Sequence, residues 1–327
     1  MTLDLTGITN ENEFYTHHYL SAILENDLKD LFKEWNRRQK EEKIPTPASI
    51  IGGLSRDYFR LRSELSETKD LDTRQQLQET FLEKLISALG YPYQPQIQEG
   101  LDSTLIPVAG EICKGSGAPE LWVLLALDGF GQDAVDPLEL TPQPDQLRAT
   151  PNAPNQTQPY ESAVGADLVS AQSPGEDKLR PYGSSANWGY SGTSSPTWQT
   201  LLTKSIFARD EPPRWVILAG TSQVLLIDRA KWAQKRLLRF DLDEILARRE
   251  DSTLKAMAAL VHRESICPED GIPLLDTLEE NSHKHAYAVS EDLKYALREC
   301  IELLGNEALW YLRHTRHEKV FSKEEEA

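Results

Sequence analysis

Apolar runs of membrane-spanning length, which need about 18–20 residues, do not occur in this chain. The longest candidate, Leu121-Trp122-Val123-Leu124-Leu125-Ala126-Leu127, has the length of a buried strand. Cysteine is scarce: Cys113, Cys267 and Cys300 are an odd number at wide spacings, which argues against a disulfide framework and for a reducing, cytoplasmic setting. The stretch Met1 to Asn10 lacks the basic start and apolar block of a secretory signal. Positive charge is also in short supply. Lys+Arg is 35 against Asp+Glu 52, a net charge of −17, which excludes a bulk electrostatic nucleic-acid binder.

Several chemical motifs are missing as well. There is no Gly-rich phosphate loop ending in Gly-Lys-Ser/Thr, no Gly-x-Gly-x-x-Gly opening a helix, and no Gly-x-Ser-x-Gly elbow. Gly129-Phe130-Gly131 follows a strand-like run but continues into Gln-Asp-Ala-Val-Asp-Pro, unlike a phosphate site. An amino-methyltransferase needs an Asn/Asp-Pro-Pro-aromatic tetrapeptide; Pro212-Pro213 sits between Glu211 and Arg214 and does not supply one. His314 and His317 are one helical turn apart, without a third ligand on the same element.

What is present is ample core material: 39% hydrophobic residues in 327, enough for one large domain or two ordinary ones. Phe14, Leu20, Leu24, Leu28, Leu31 and Trp35 recur at three- and four-residue spacing, predicting an amphipathic helix. Further helices are expected over about 57–67 and 73–89, the latter stopped by Gly90 and Pro92. The period then turns strand-like at Leu105–Val108 and Leu121–Leu127. Residues 133–197 form a Pro/Ser/Gly-rich insertion; nine of the 19 prolines lie between Pro137 and Pro196, and such a composition cannot bury enough surface to order itself. Trp215–Gly220 and Gln223–Asp228 predict a hairpin, and Leu237–Phe240 a short third strand. Two helices close the chain, one over about 253–264 and a long one capped by Ser290 with Leu293, Leu297, Ile301, Leu304, Ala308 and Leu312 facing inward. Asn281-Ser282-His283-Lys284-His285 is expected to be the polar loop between them.

The domains expected are an N-terminal helical segment 1–70, an α/β domain 71–250 carrying the insertion, and a helical connector 251–327. One segment is basic: Arg229, Lys231, Lys235, Arg236 and Arg239 surround Trp232. Five cations with a stacking ring suit a nucleic-acid backbone, although Asp241, Asp243 and Glu244 follow at once and are placed to pair with them.

Taken in order, Leu89-Gly90-Tyr91 at a helix end, the two strands, Trp215 through Asp228, and Arg239-Phe240-Asp241-Leu242-Asp243-Glu244-Ile245 resemble a known arrangement. It is similar to the N-terminal nuclease-like region of type IIG restriction-modification DNA methyltransferases and of related phage-defence methylases, over about residues 73–320. The resemblance implies a mixed α/β fold with a PD-(D/E)xK-like sheet core and flanking helices, preceded and followed by helical segments. It also implies DNA or other subunits of a bacterial defence system as partners, with no membrane. Such a nuclease needs two carboxylates for Mg²⁺ and a lysine beside the attacking water. The matching triplet here is Leu125-Ala126-Leu127, so cleavage chemistry is expected to be lost, with no metal and no cofactor. The nearby alternatives are Asp102, Glu111, Glu120 and Lys114. Glu111 and Lys114 are three apart where the motif has two, which puts them on opposite strand faces. Three functions follow: a silent module that positions DNA or docks subunits; an active Mg²⁺-dependent endonuclease with a displaced lysine; or an acidic adaptor or DNA mimic for a basic partner. The ending Lys323-Glu324-Glu325-Glu326-Ala327 is read as a boundary before something larger.

Overall fold

The protein is described by a computed structural model covering residues 3–101, 104–115, 117–128, 135–142 and 195–315. Most of the insertion expected at 133–197, together with Gly129–Gly131, Asp102 and His317, lies outside the described residues. The architecture is mixed α/β, built on a six-stranded sheet in the order β1-β8-β7-β6-β5-β4. These strands are β1 (Ile8–Glu11), β4 (Gly110–Cys113), β5 (Pro119–Ala126), β6 (Trp215–Gly220), β7 (Gln223–Asp228) and β8 (Leu237–Asp241). A separate ribbon pairs β2 (Gln96–Glu99) with β3 (Leu105–Val108). Among the described residues only β5 and β6 run parallel, in register Leu121↔Trp215 to Ala126↔Gly220, and the other ladders are antiparallel.

The central strands are apolar on both faces, as a sheet covered twice requires. Leu121, Val123, Leu125 and Leu127 join one core with Trp215, Ile217, Val224, Leu226, Leu238 and Phe240. Trp122, Leu124 and Ala126 join the other with Val216, Leu218, Leu225 and Ile227. The period-two alternation of strand side chains sorts them. The first face is covered by α1 (Leu24–Glu41), α2 (Pro47–Gly53), α3 (Ser55–Glu67), α4 (Leu71–Ala88), α7 (Leu242–Arg248) and α8 (Asp251–Val261). The second is covered by α5 (Trp198–Leu201), the π-turn after it and Leu138. A π-helical turn at Tyr19–Ile23, the short helices α6 (Arg229–Trp232) and α9 (Arg263–Ile266) and the 41-residue α10 (Leu274–His314) complete the described elements.

The Leu-Gly-Tyr ending of α4 has a local cause. Tyr91 N donates to Ile86 O at 3.1 Å and Gly90 N to Ser87 O at 3.0 Å, the paired bonds of a Schellman stop. Gly90 sits at φ +82°, and a Cβ there would lie 2.9 Å from His262 Nε2. Tyr91 then buries its ring and donates to Val261 O at 2.9 Å.

Three expectations change. The segment 1–70 is not purely helical: β1 pairs with β8 from Ile8↔Phe240 to Glu11↔Leu237 and forms an edge of the sheet. Asn281–His285 is no loop, and Ser290 caps nothing; both lie inside α10, which starts at Leu274 because Leu274, Leu275 and Leu278 continue the helical period. Leu293, Leu297, Ile301 and Leu304 point away from the body, at 60, 53, 64 and 71% exposure. Periodicity defines a face of a helix, and here no described element packs on it.

Candidate functional site

The resemblance read in the sequence places an expected acid and amine at the end of β5. Leu125 and Leu127 are there instead, 2% and 1% exposed and packed into the first core. Burying each such side chain stabilises by about 1.5–3 kcal/mol. Immediately beyond, the polar groups are tied to one another. Gln78 of α4 accepts from Asp128 N at 2.8 Å and donates to Asp128 O at 2.9 Å. Its Oε1 also accepts from Thr221 Oγ1 at 2.6 Å, and its Nε2 reaches Arg74 O at 3.2 Å. One turn earlier, Arg74 donates to Leu65 O and, at 3.0 Å, to Thr68 O, closing the end of α3. Its other terminal nitrogen lies 3.7 Å from Asp128 Oδ2. The sequence reading missed Arg74, Gln78 and Thr221. Their signal was available: positions 74 and 78 fall on the same inward stripe as Leu82 and Leu85, and a polar residue there needs an internal partner.

The displaced candidates lie further back along β4 and β5. Lys114 Nζ meets Glu120 Oε2 at 2.7 Å, with Lys114 exposed and Glu120 buried. The turn Lys114–Ala118 joining the two strands carries the amine back over the start of β5. Glu111 is held elsewhere: Oε1 accepts from Trp122 Nε1 at 2.8 Å, and Oε2 from Gln96 Nε2 at 2.6 Å and Gln98 Nε2 at 3.1 Å. Its oxygens are therefore occupied by neutral donors, while Glu120 faces an ammonium. Mg²⁺ requires near-octahedral oxygen ligands at about 2.0–2.1 Å, and the two described carboxylates of the candidate set, Glu111 and Glu120, are turned to different partners. Among the described residues, no group of three His, Cys, Asp or Glu is placed to hold a metal ion.

The basic stretch divides in two. Lys231 is turned inward, donating to Phe14 O at 3.2 Å and meeting Glu279 at 3.1 Å, with its ammonium 4.0 Å from the Phe14 ring centroid. Trp232 is buried, donates to Thr203 Oγ1 at 3.0 Å and stands edge-on to Phe207. Arg239 is anchored to Glu11 at 2.8 Å, Asp136 at 3.0 Å and Gln223 at 2.6 Å. The expected pairing with Asp241, Asp243 and Glu244 is replaced by these contacts. Asp241 instead caps α7, accepting from Glu244 N at 3.0 Å, and Asp243 lies 3.4 Å from Arg62. Arg229 and Lys235 are exposed and Arg236 is half-buried, so these three keep solvent-facing charge.

Buried His262 caps α9: its Nδ1 accepts from Glu264 N at 3.3 Å. Burial holds its imidazole below the ordinary value; the Glu264 carboxylate opposes this, and Arg263 and Arg38 reinforce it. His314 stacks on Trp310 at 4.8 Å between ring centroids.

No known protein-family model, curated protein or solved structure matches this chain. Among the described residues no helix is long and apolar enough to cross a membrane.

Proposed function

We propose that this chain is a catalytically silent, nuclease-like α/β module of a bacterial restriction-modification or phage-defence DNA methyltransferase system. In this reading it docks partner subunits and positions them on DNA. The observation that carries it is the end of β5, where Leu125 and Leu127 are sealed in the core and the adjoining Asp128 backbone is satisfied by Gln78. A PD-(D/E)xK centre works by holding a divalent cation between carboxylates and orienting water with an amine. Leucines supply neither ligand nor base. Subunit docking is favoured over broad DNA contact because Lys231, Trp232 and Arg239 are spent on internal partners in a chain of charge −17.

One contact favours a second reading. Lys114 and Glu120 bring an amine and a carboxylate within 2.7 Å, the pair a displaced nuclease site would use. Plasmid nicking by the full chain with Mg²⁺ or Mn²⁺ separates the two. The silent module leaves supercoiled DNA intact under both ions. Metal-dependent nicking that Glu120→Ala or Lys114→Ala abolishes would establish the second reading and remove the first.

A further inference from the structure

The strongest unexplained feature is the outer part of α10. From Tyr287 to His314 this helix has no described element packed against it, yet ten of its large apolar side chains are at least 48% exposed. Helices in water draw most of their stability from packing an amphipathic face. Six of them, Val289, Leu293, Leu297, Ile301, Leu304 and Tyr311, share one stripe, which offers on the order of 600 Å² of apolar surface per chain, at the top of the 300–600 Å² patch of an ordinary monomer and, with its polar flanks, close to the ~800 Å² per partner of a standard interface. Such a helix calls for a cover.

The pattern of the stripe identifies the cover. Reflected about the Cys300–Ile301 peptide bond, Val289 falls on Leu312, Leu293 on Ala308, Leu297 on Leu304, and Cys300 on Ile301. In these four pairs apolar meets apolar, and the large Leu293 meets the small Ala308; Tyr311, at the edge of the stripe, falls on Ser290. A two-fold axis demands this self-complementarity: residue i touches j, and j touches i. The 11-residue spacing of Ala286, Leu297 and Ala308, and of Leu293 and Leu304, keeps the stripe almost straight along about 40 Å of helix. An in-register parallel pair would instead stack Ala308 on Ala308, leaving a gap between flanking leucine layers.

Charge points the same way. Lys294 pairs with Glu291 at 2.6 Å and Arg298 with Glu302 at 2.9 Å, so these charges are satisfied along the helix itself. The remainder of the chain carries most of the −17. Antiparallel pairing sets the two acidic bodies at opposite ends of the joined helices, where repulsion is screened.

We infer that residues 289–312 of α10 form an antiparallel helix pair with a second copy of this chain, centred between Cys300 and Ile301. The inference does not depend on the nuclease-like reading. Light scattering on the full chain at micromolar concentration should give twice the 37.0 kDa chain mass, and Leu297→Glu combined with Leu304→Glu should give a monomer. The same urea transition for the sheet in both proteins would show that the variant still folds. Orientation is read in a Cys113→Ser, Cys300→Ser background. Mixing Leu293→Cys chains with Ala308→Cys chains should give a disulfide-linked heterodimer, whereas Ala308→Cys alone should give none. A wild-type monomer, a monomer that instead binds phosphatidylcholine vesicles, a dimer that survives both glutamates, or an efficient Ala308→Cys homodimer each overturns the proposal.

Discussion

Thr221 and Gln78, 143 residues apart in the chain, are joined by a 2.6 Å hydrogen bond in which the threonine hydroxyl donates to Oε1. The same amide grips the backbone of Asp128 from both sides. One side chain therefore fastens α4 to the end of β5 and to the β6–β7 turn. On the proposed nuclease-like reading, this corner of the sheet is where an active enzyme would keep its reactive groups. Here the amide has all four hydrogen-bonding capacities filled by protein atoms, so the corner is built as a joint.

Replacing Gln78 tests that description. Gln78→Leu removes the bonds Gln78 makes to the Asp128 N–H and C=O, the Arg74 carbonyl and the Thr221 hydroxyl. Each buried group left unmade costs about 1–3 kcal/mol, and some will find water. A loss of about 2–4 kcal/mol in urea unfolding is expected. Gln78→Glu keeps the acceptor but turns a carboxylate oxygen towards the Asp128 and Arg74 carbonyls. That variant should be unstable at neutral pH and partly recover in mild acid, where the carboxyl can donate. A neutral outcome for both substitutions would mean that the joint carries no load.

How much of this could be read from the chain alone depended on how far each signal reaches. Leu121–Leu127 and Trp215–Gly220 are unbroken apolar runs, and they became the strands β5 and β6 as expected. β1 escaped notice because it is four residues long with one aliphatic, Ile8, and exists only through its ladder with β8. The long helix was found, but its direction was not. The periodicity of Leu293 to Leu312 marks one face without saying what stands opposite it. The burial of Leu125 and Leu127 was legible because it is a matter of residue type. The Gln78 joint was not, since its partners lie 50 and 143 residues away.

The divided basic stretch predicts that stability and DNA affinity respond to different residues. Arg239 is 13% exposed at its side chain and bonded to Glu11, Asp136 and Gln223. Arg239→Ala should cost about 2–3 kcal/mol of folding stability, as expected for charge-assisted bonds left half-made, with little change in DNA retention. Arg229→Ala, Lys235→Ala and Arg236→Ala together should leave stability within about 0.5 kcal/mol per site. The triple variant should flatten the slope of log K against log salt by at most about 3, since each phosphate contact contributes about 0.9. Gel shifts over a salt series, beside urea curves, distinguish these effects. Loss of DNA binding in stable Arg239→Ala protein would contradict the inward placement of that guanidinium.

His262 gives the fold a pH dependence of definite sign. Burial lowers its pKa from the ordinary 6.5, so over the interval below 6.5 the unfolded chain holds a proton that the folded chain refuses. The unfolded state then binds more protons, and stability must rise with pH through that interval. The local geometry agrees: Nδ1 accepts the Glu264 N–H at the start of α9, and a protonated ring could not accept it. Stability contributed by the neutral imidazole is therefore fully present above about pH 7 and fades as the solution is acidified towards pH 5. His262→Asn keeps an acceptor suited to a helix N-cap and removes the titration. Urea midpoints measured across this range should fall in acid for the wild type and fall less for His262→Asn. If the two profiles remain parallel, the slope belongs to other groups and His262 titrates alike in both states.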